Sequence, residues 1–110
     1  MILSGGNALA ETDVEADSAH HKLLFENEHV RVVKATFAPG AKSTAPFDAR
    51  EVVLVRIKGR GPLTIHLADG KVITGKSMKP GETAWAPAGR IQPENKTKER
   101  FEIIIVEPKK

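Results

Sequence analysis

From His20 onward the chain alternates short apolar runs with clusters of turn-forming residues, the pattern of a β protein. Leu23-Leu24-Phe25 ends at Glu26-Asn27-Glu28, and Val30 to Phe37 stops at Pro39-Gly40. Val52-Val53-Leu54-Val55-Arg56-Ile57 stops at Gly59-Arg60-Gly61. Leu63 to Leu67 and Val72 to Thr74 flank Ala68-Asp69-Gly70-Lys71. The Asp-Gly pair predicts a hairpin with a two-residue type I′ turn, whose central positions need positive φ. Lys79-Pro80-Gly81 leads into Thr83-Ala84-Trp85, so that Gly81 to Gly89 reads as a turn, a strand and a second turn. Phe101 to Val106 is the last predicted strand. Outside an Ala-rich N-terminal stretch, no window has the apolar spacing of an amphipathic helix.

Two strands are apolar at every position, Val52 to Val55 and Ile103 to Val106. A barrel strand needs only one apolar face. The second face calls for cover, and the pattern predicts a homodimer; the alternative is burial within one chain.

The chain is 110 residues long, which is one domain. Its apolar share of 40% and charged share of 28% are those of a globular protein. No run approaches the ~20 apolar residues of a membrane helix, so no membrane partner is expected. Cysteine is absent, which excludes disulfides, thiolate catalysis and zinc–thiolate sites. The net charge is +3, and the basic clusters Lys96-Lys98-Arg100 and Lys109-Lys110 are not interleaved with aromatics. No nucleic-acid partner is expected.

Residues 1–19 show no strand pattern and are expected to form a flexible leader outside a domain of residues 20–110. Ala8-Leu9-Ala10 fits the small-x-small pattern of a signal-peptidase site. It reads as the end of an export signal, which would make the protein periplasmic or exported; the other reading is a plain leader on a cytoplasmic protein.

The order of turns resembles that of the cupin superfamily, in particular its small single-domain members. The matching text runs from Glu26-Asn27-Glu28-His29-Val30-Arg31-Val32 through Ala38-Pro39-Gly40, Asp69-Gly70-Lys71, Pro80-Gly81-Glu82 and Trp85-Ala86-Pro87-Ala88-Gly89 to Glu94-Asn95. The resemblance implies an all-β, antiparallel jelly-roll barrel of six to eight strands. It also implies a site of three histidines and a carboxylate, and here the chain departs from the family. Counted from Pro39-Gly40, the two histidines of the first motif fall on Pro46 and Asp48; counted back from Gly59, they fall near Phe47 and Ala49. The histidine of the second motif, counted back from Asn95, falls on Ile91. Imidazole is what suits iron, nickel, copper or zinc in such a site. Neither a metal nor any other cofactor is therefore expected, and the metal-dependent chemistry of the superfamily is disfavoured.

The candidate ligand-binding residues are Arg50, Arg90, Trp85, Phe47, Asp48, Glu51 and Ile91. Arg50 and Arg90 would clamp an anion, for which a planar guanidinium is well shaped. Trp85 and Phe47 would form apolar walls, with Trp85 also readable as a core anchor. Asp48 and Glu51 could act as carboxylate bases. His20, His21 and His29 are expected near an edge and in solvent, and His66, in phase opposite to Leu63, Ile65 and Leu67, on the outside of the barrel. No histidine is expected at a barrel position. These readings predict a metal-free module that binds a small molecule, anionic or sugar-like. The alternatives are a metal-independent isomerase or epimerase that uses carboxylates, and a structural barrel that dimerises through its apolar face.

Overall fold

Strict alternation decides what this chain buries. The computed structural model describes residues 12–109. The elements are a short helix, α1 (Asp13–Ala16), and nine strands: β1 (His21–Glu26), β2 (Val30–Phe37), β3 (Phe47–Ala49), β4 (Val52–Lys58), β5 (Thr64–Leu67), β6 (Val72–Thr74), β7 (Thr83–Ala86), β8 (Gly89–Glu94) and β9 (Phe101–Pro108). Every second residue of β2 is buried: Arg31, Val33, Ala35 and Phe37. The same holds for Phe101 and Ile103 of β9 and for Val52 and Arg56 of β4.

Two antiparallel sheets form, a larger one in the order β1-β2-β9-β4-β7 and a smaller one in the order β3-β8-β5-β6. The expected all-β antiparallel barrel is the fold observed. At one end Ala35, Phe37, Phe101 and Ile103 make the closed core, against which Ala41, Leu54, Leu63 and Ile105 pack.

The two-faced strands sit where that pattern demands. β9 lies in the middle of the larger sheet, between β2 and β4. On the outside of this sheet the register lines up Phe25, Val32, Val106, Val53 and Trp85, one residue from each of its five strands. Phe25, Val53 and Trp85 are exposed, Trp85 by 62%. Trp85 is thus no core anchor, although it is among the residues that border the cavity between the sheets. Its neighbours Ala84 and Ala86, paired with Leu54 and Val52, take the inner side.

Other expectations are corrected. Residues 12–19 are not outside the fold: Asp13 and Asp17 are buried, and α1 packs against β1 and β3. The Glu15 carboxylate accepts the Thr12 backbone N–H at 3.0 Å, which holds the start of the helix. Strands β3 and β8 fall in stretches for which the sequence pattern predicted no strand. β8 contains Gly89 and Pro93, yet β3 pairs only with Gly89 to Ile91, so the missing N–H of Pro93 takes no ladder bond from that neighbour. The β5–β6 hairpin is present, but its loop has three residues. Leu67 N–H donates to Lys71 and Gly70 N–H to Leu67, and Gly70 alone supplies the left-handed position, at φ +91°. The Ala8-Leu9-Ala10 reading lies outside the described residues.

Asn95 closes the barrel end. It is fully buried, and its amide donates to Phe37 O at 3.0 Å, Ala38 O at 3.3 Å and Glu99 O at 2.6 Å. Its side-chain oxygen accepts from the backbone and hydroxyl of Thr97. Asn95→Ala should strand these buried groups and lower the unfolding free energy by about 3 kcal/mol or more, read from urea melts. A change below about 1 kcal/mol would show that water replaces the amide.

Candidate functional site

The inner faces of the two sheets do not meet along their whole length. Between them lies a cavity of about 370 Å³. Its wall is built from the inward phase of the strands: Val52 and Leu54 of β4, Ile65 and Leu67 of β5, Ile91 of β8, Ile103 and Ile105 of β9, together with Leu63 and Met78. Phe47 and Ile91, paired across β3 and β8, close one side.

These two residues, with Ala49, carry the meaning of the lost motif. Phe47 and Ala49 are the histidine positions in one of the two registers, and both line the cavity with Ile91. None offers a lone pair. Among the described residues no three His, Asp or Glu side chains converge as a metal site. The donor set does not fit the metal that the resemblance implies.

One imidazole does reach the cavity, against expectation. His21 is 4% exposed and lines the wall, with its ring edge-on to Phe47 at 5.2 Å and to Phe37 at 5.7 Å. Its Nδ1 lies 3.1 Å from Asp17 Oδ2 and 3.1 Å from the Asp17 backbone oxygen. Nε2 is the nitrogen left for a guest. His20 shares the same carboxylate through Nδ1 at 2.9 Å and stacks on Phe37. Thr44 N–H donates to Asp17 Oδ1 at 2.8 Å. The expectation of a solvent-facing His21 fails because α1 and the residues after it fold over the start of β1. No periodic signal marks so short a segment.

Burial alone would push the Asp17 carboxyl up, but the Thr44 N–H and the His20 imidazole more than offset it, and its pKa lies below the usual value of 3.8.

The other candidate residues divide. Asp48, Arg50 and Glu51 border an open groove of about 410 Å³ beside the cavity mouth, with Thr12, Ala49, Ala88 and Pro108. Arg50 is largely exposed, and its Nε lies 4.0 Å from Glu107 Oε2. Arg90 donates to Asp48 at 3.0 Å, from the position directly opposite it on the neighbouring strand. The two arginines therefore do not converge on one anion, and both lie near carboxylates of this chain. Asp48 lines the cavity as well as the groove and is engaged by Arg90, while Glu51 is exposed. His66 points outward as expected, where it meets Glu94 at 2.8 Å and lowers that carboxyl's pKa.

Sequence reasoning also passed over Arg56. It stands in phase with Val52 and Leu54, so period two puts it on the inner face. It is 2% exposed and lines the cavity.

No family model and no curated protein matches the chain. Solved structures do. A cupin domain from Bordetella pertussis Tohama I is 23% identical, with a TM-score of 0.67 over 82% of this chain and 92% of that one. An RmlC-like cupin family protein with a double-stranded β-helix fold from Methanocaldococcus jannaschii is 20% identical, with a TM-score of 0.59 over 81% and 78%. The polyketide cyclase RemF from Streptomyces resistomycificus is 16% identical, with a TM-score of 0.57 over 82% and 64%. Likeness at these identities shows the fold: the chain has the cupin fold, a double-stranded β-helix.

The Asp17 carboxylate should make stability depend on acid. Its folded pKa lies below the unfolded 3.8, so its contribution is complete above that value and is lost as pH falls through the folded one. Asp17→Asn should lower stability at pH 7 and flatten the loss below about pH 4, in melts followed by circular dichroism. An unchanged acid limb would remove Asp17 from this role.

Proposed function

We propose that this protein is a binding module that holds a small, largely apolar molecule inside its barrel by side chains alone. The observation that carries this reading is the enclosed cavity of about 370 Å³ with its wall of Leu, Ile, Val, Phe and Met. Small-molecule sites span roughly 300–1,000 Å³ and are mostly apolar with a few polar groups, which is the balance here. A sugar suits the wall poorly, because each buried hydroxyl left without a partner costs about 1–3 kcal/mol. A guest burying about 200 Å² of apolar surface gains roughly 5 kcal/mol from that burial before the cost of association. A polyketide cyclase shares the fold, which is in keeping with a small carbon-rich guest.

The test is thermal shift with 1-octanol as probe. The melting temperature should rise with probe concentration, since a ligand of the native state stabilises it by mass action. Ala84→Leu, which adds carbon to the inner wall, should abolish the shift and leave the far-ultraviolet spectrum unchanged. An equal shift in that variant would place the probe elsewhere.

The outer face of the larger sheet supports an addition to this reading, assembly with a second copy of the chain. The row Phe25–Val32–Val106–Val53–Trp85 crosses all five strands, and the half-buried Ile104 and Val55 pair beside it. Five strands ~4.8 Å apart, of four to eight residues at ~3.3 Å each, cover roughly 500 Å² of sheet plane. With side-chain relief that approaches the ~800 Å² each partner contributes to a stable pair. Of the flanking charges, Lys34 is paired with Glu102 at 3.2 Å, and Lys22 stands opposite Lys34 at the β1 edge of the face. Sedimentation should show a dimer at micromolar concentration, and Trp85 emission should shift to the blue as it forms. Val53→Lys should give a folded monomer. A wild-type protein still monomeric at about 100 µM would overturn the assembly.

A further inference from the structure

Arg56 is a buried cation without a counter-ion. Its side chain leaves β4 on the inner face, and its guanidinium lies 4.0 Å from the centre of the Phe101 ring. Three carbonyls hold it: Gly59 O at 3.0 Å, Gly61 O at 3.1 Å and Met78 O at 3.3 Å. All three bonds leave from Nη1. Nε is buried and has no hydrogen-bond partner. No carboxylate makes an ion pair with Arg56 among the described residues, in contrast to Arg31, which meets Asp13 at 3.1 Å and Glu107 at 3.4 Å.

The loop that receives Arg56 is built for it. Gly59 has φ +87°, and a Cβ there would run into Arg100 O and the Phe101 ring, so only glycine lets the chain fold back this tightly. Met78 N–H and O exchange hydrogen bonds with Gly61, which closes the pocket of carbonyls around Nη1. The carbonyl dipoles and the ring offset part of the cost of burying the charge, but they do not neutralise it.

A guanidinium is a fork, and carboxylates bind it through two parallel N–H donors. With Nη1 committed to carbonyls and Nε buried, Nη2 is the nitrogen that remains to meet a partner in the cavity. The register places Arg56, Ile103, Ala35 and His21 in one row across the sheet. All four line the cavity. Arg56 and His21 therefore stand three strand spacings apart, roughly 14 Å, with apolar surface between them.

We propose that the guest of this cavity is a monocarboxylate with an apolar body, whose carboxylate is the missing counter-ion of Arg56 and whose hydrocarbon runs along Ile103 and Ala35 toward His21. The inference rests on the reading of the cavity as a binding site for a small apolar molecule and adds the charge and the orientation of that molecule. It also moves anion recognition from Arg50 and Arg90, which lie beside carboxylates at the surface, to a side chain inside the barrel.

Four probes of graded chemistry test it on the whole protein: octanoate, 1-octanol, octylammonium and acetate, each followed by thermal shift and calorimetry. Octanoate should bind at least tenfold more tightly than 1-octanol, octylammonium should bind less tightly than 1-octanol, and acetate should not bind. The octanoate affinity should change less than threefold between 50 mM and 500 mM salt, magnitudes of ionic strength at which a surface ion pair is heavily screened and a buried one is not. Arg56→Met should bind octanoate and 1-octanol alike; if that variant does not fold, the wild-type series decides. Octanoate and 1-octanol binding equally to the wild type would overturn the assignment of the carboxylate while leaving the apolar cavity reading intact. Octanoate binding that collapses in salt would place the anion on the surface and overturn the assignment too. Binding of neither would overturn both.

Discussion

Strand β9 is the constraint on which the rest of the molecule depends. It pairs with β2 along eight positions and with β4 on its other edge, and it is apolar on both sides. Period two sends Phe101, Ile103 and Ile105 inward and Ile104 and Val106 outward. A slip of one residue would exchange the two sets. The buried Phe101 would then trade places with Glu102, which faces Lys34 outside. The register of this one strand therefore fixes both the wall of the cavity and the apolar row on the outside, and it places Ile103 between Ala35 and Arg56.

Charged groups inside the barrel are few, and they are handled unequally. Asp17 receives the Thr44 N–H and meets two imidazoles. Arg31 has two carboxylates, and Glu107 reaches towards Arg50 in turn. These two groups tie the N-terminal segment and the cavity mouth to the strands, and each is balanced within the chain. Arg56 is balanced only by dipoles and a ring. A fold that pairs its other buried charges and leaves one cation facing an apolar hollow has a polarity that its own residues do not explain.

Much of the architecture was legible because turns and alternation are local signals. Pro39-Gly40, Gly59-Arg60-Gly61 and Asp69-Gly70 mark chain reversals through backbone chemistry that does not depend on the rest of the fold. The two-faced strands were legible for the same reason. β3 and β8 were not, because Gly89 and Pro93 read as breakers until the short partner β3 shows where the ladder ends. The packing of residues 12–19 was hidden as well. It rests on Asp13 and Asp17, whose partners Arg31, His20, His21 and Thr44 gain meaning only when the chain has closed.

The site was half legible, and the missing half is instructive. The loss of histidines at Phe47, Ala49 and Ile91 could be read by counting, and it correctly points to an apolar wall. Trp85 could not be placed, because in a strand whose neighbours are both alanine neither phase is marked as inward. Arg56 could have been found, as the charge in phase with Val52 and Leu54. It was masked by Val53, Val55 and Ile57, which make the opposite phase equally apolar.

Replacing metal ligands by hydrocarbon changes what such a barrel can select. A coordinated ion recognises donor atoms and tolerates varied shapes around them. A wall of Leu, Ile and Phe recognises volume, and its energy scales with the area it covers. Discrimination between guests of similar size then falls to the few polar groups left inside, because leaving a buried donor unmatched is more costly than the matched bond is stabilising. Here those groups include an imidazole held by Asp17 and a guanidinium held by three carbonyls, in one row across the same sheet, and the buried carboxylates of Asp13 and Glu107, both engaged by Arg31. The separation of the imidazole and the guanidinium is set by strand spacing rather than by any loop.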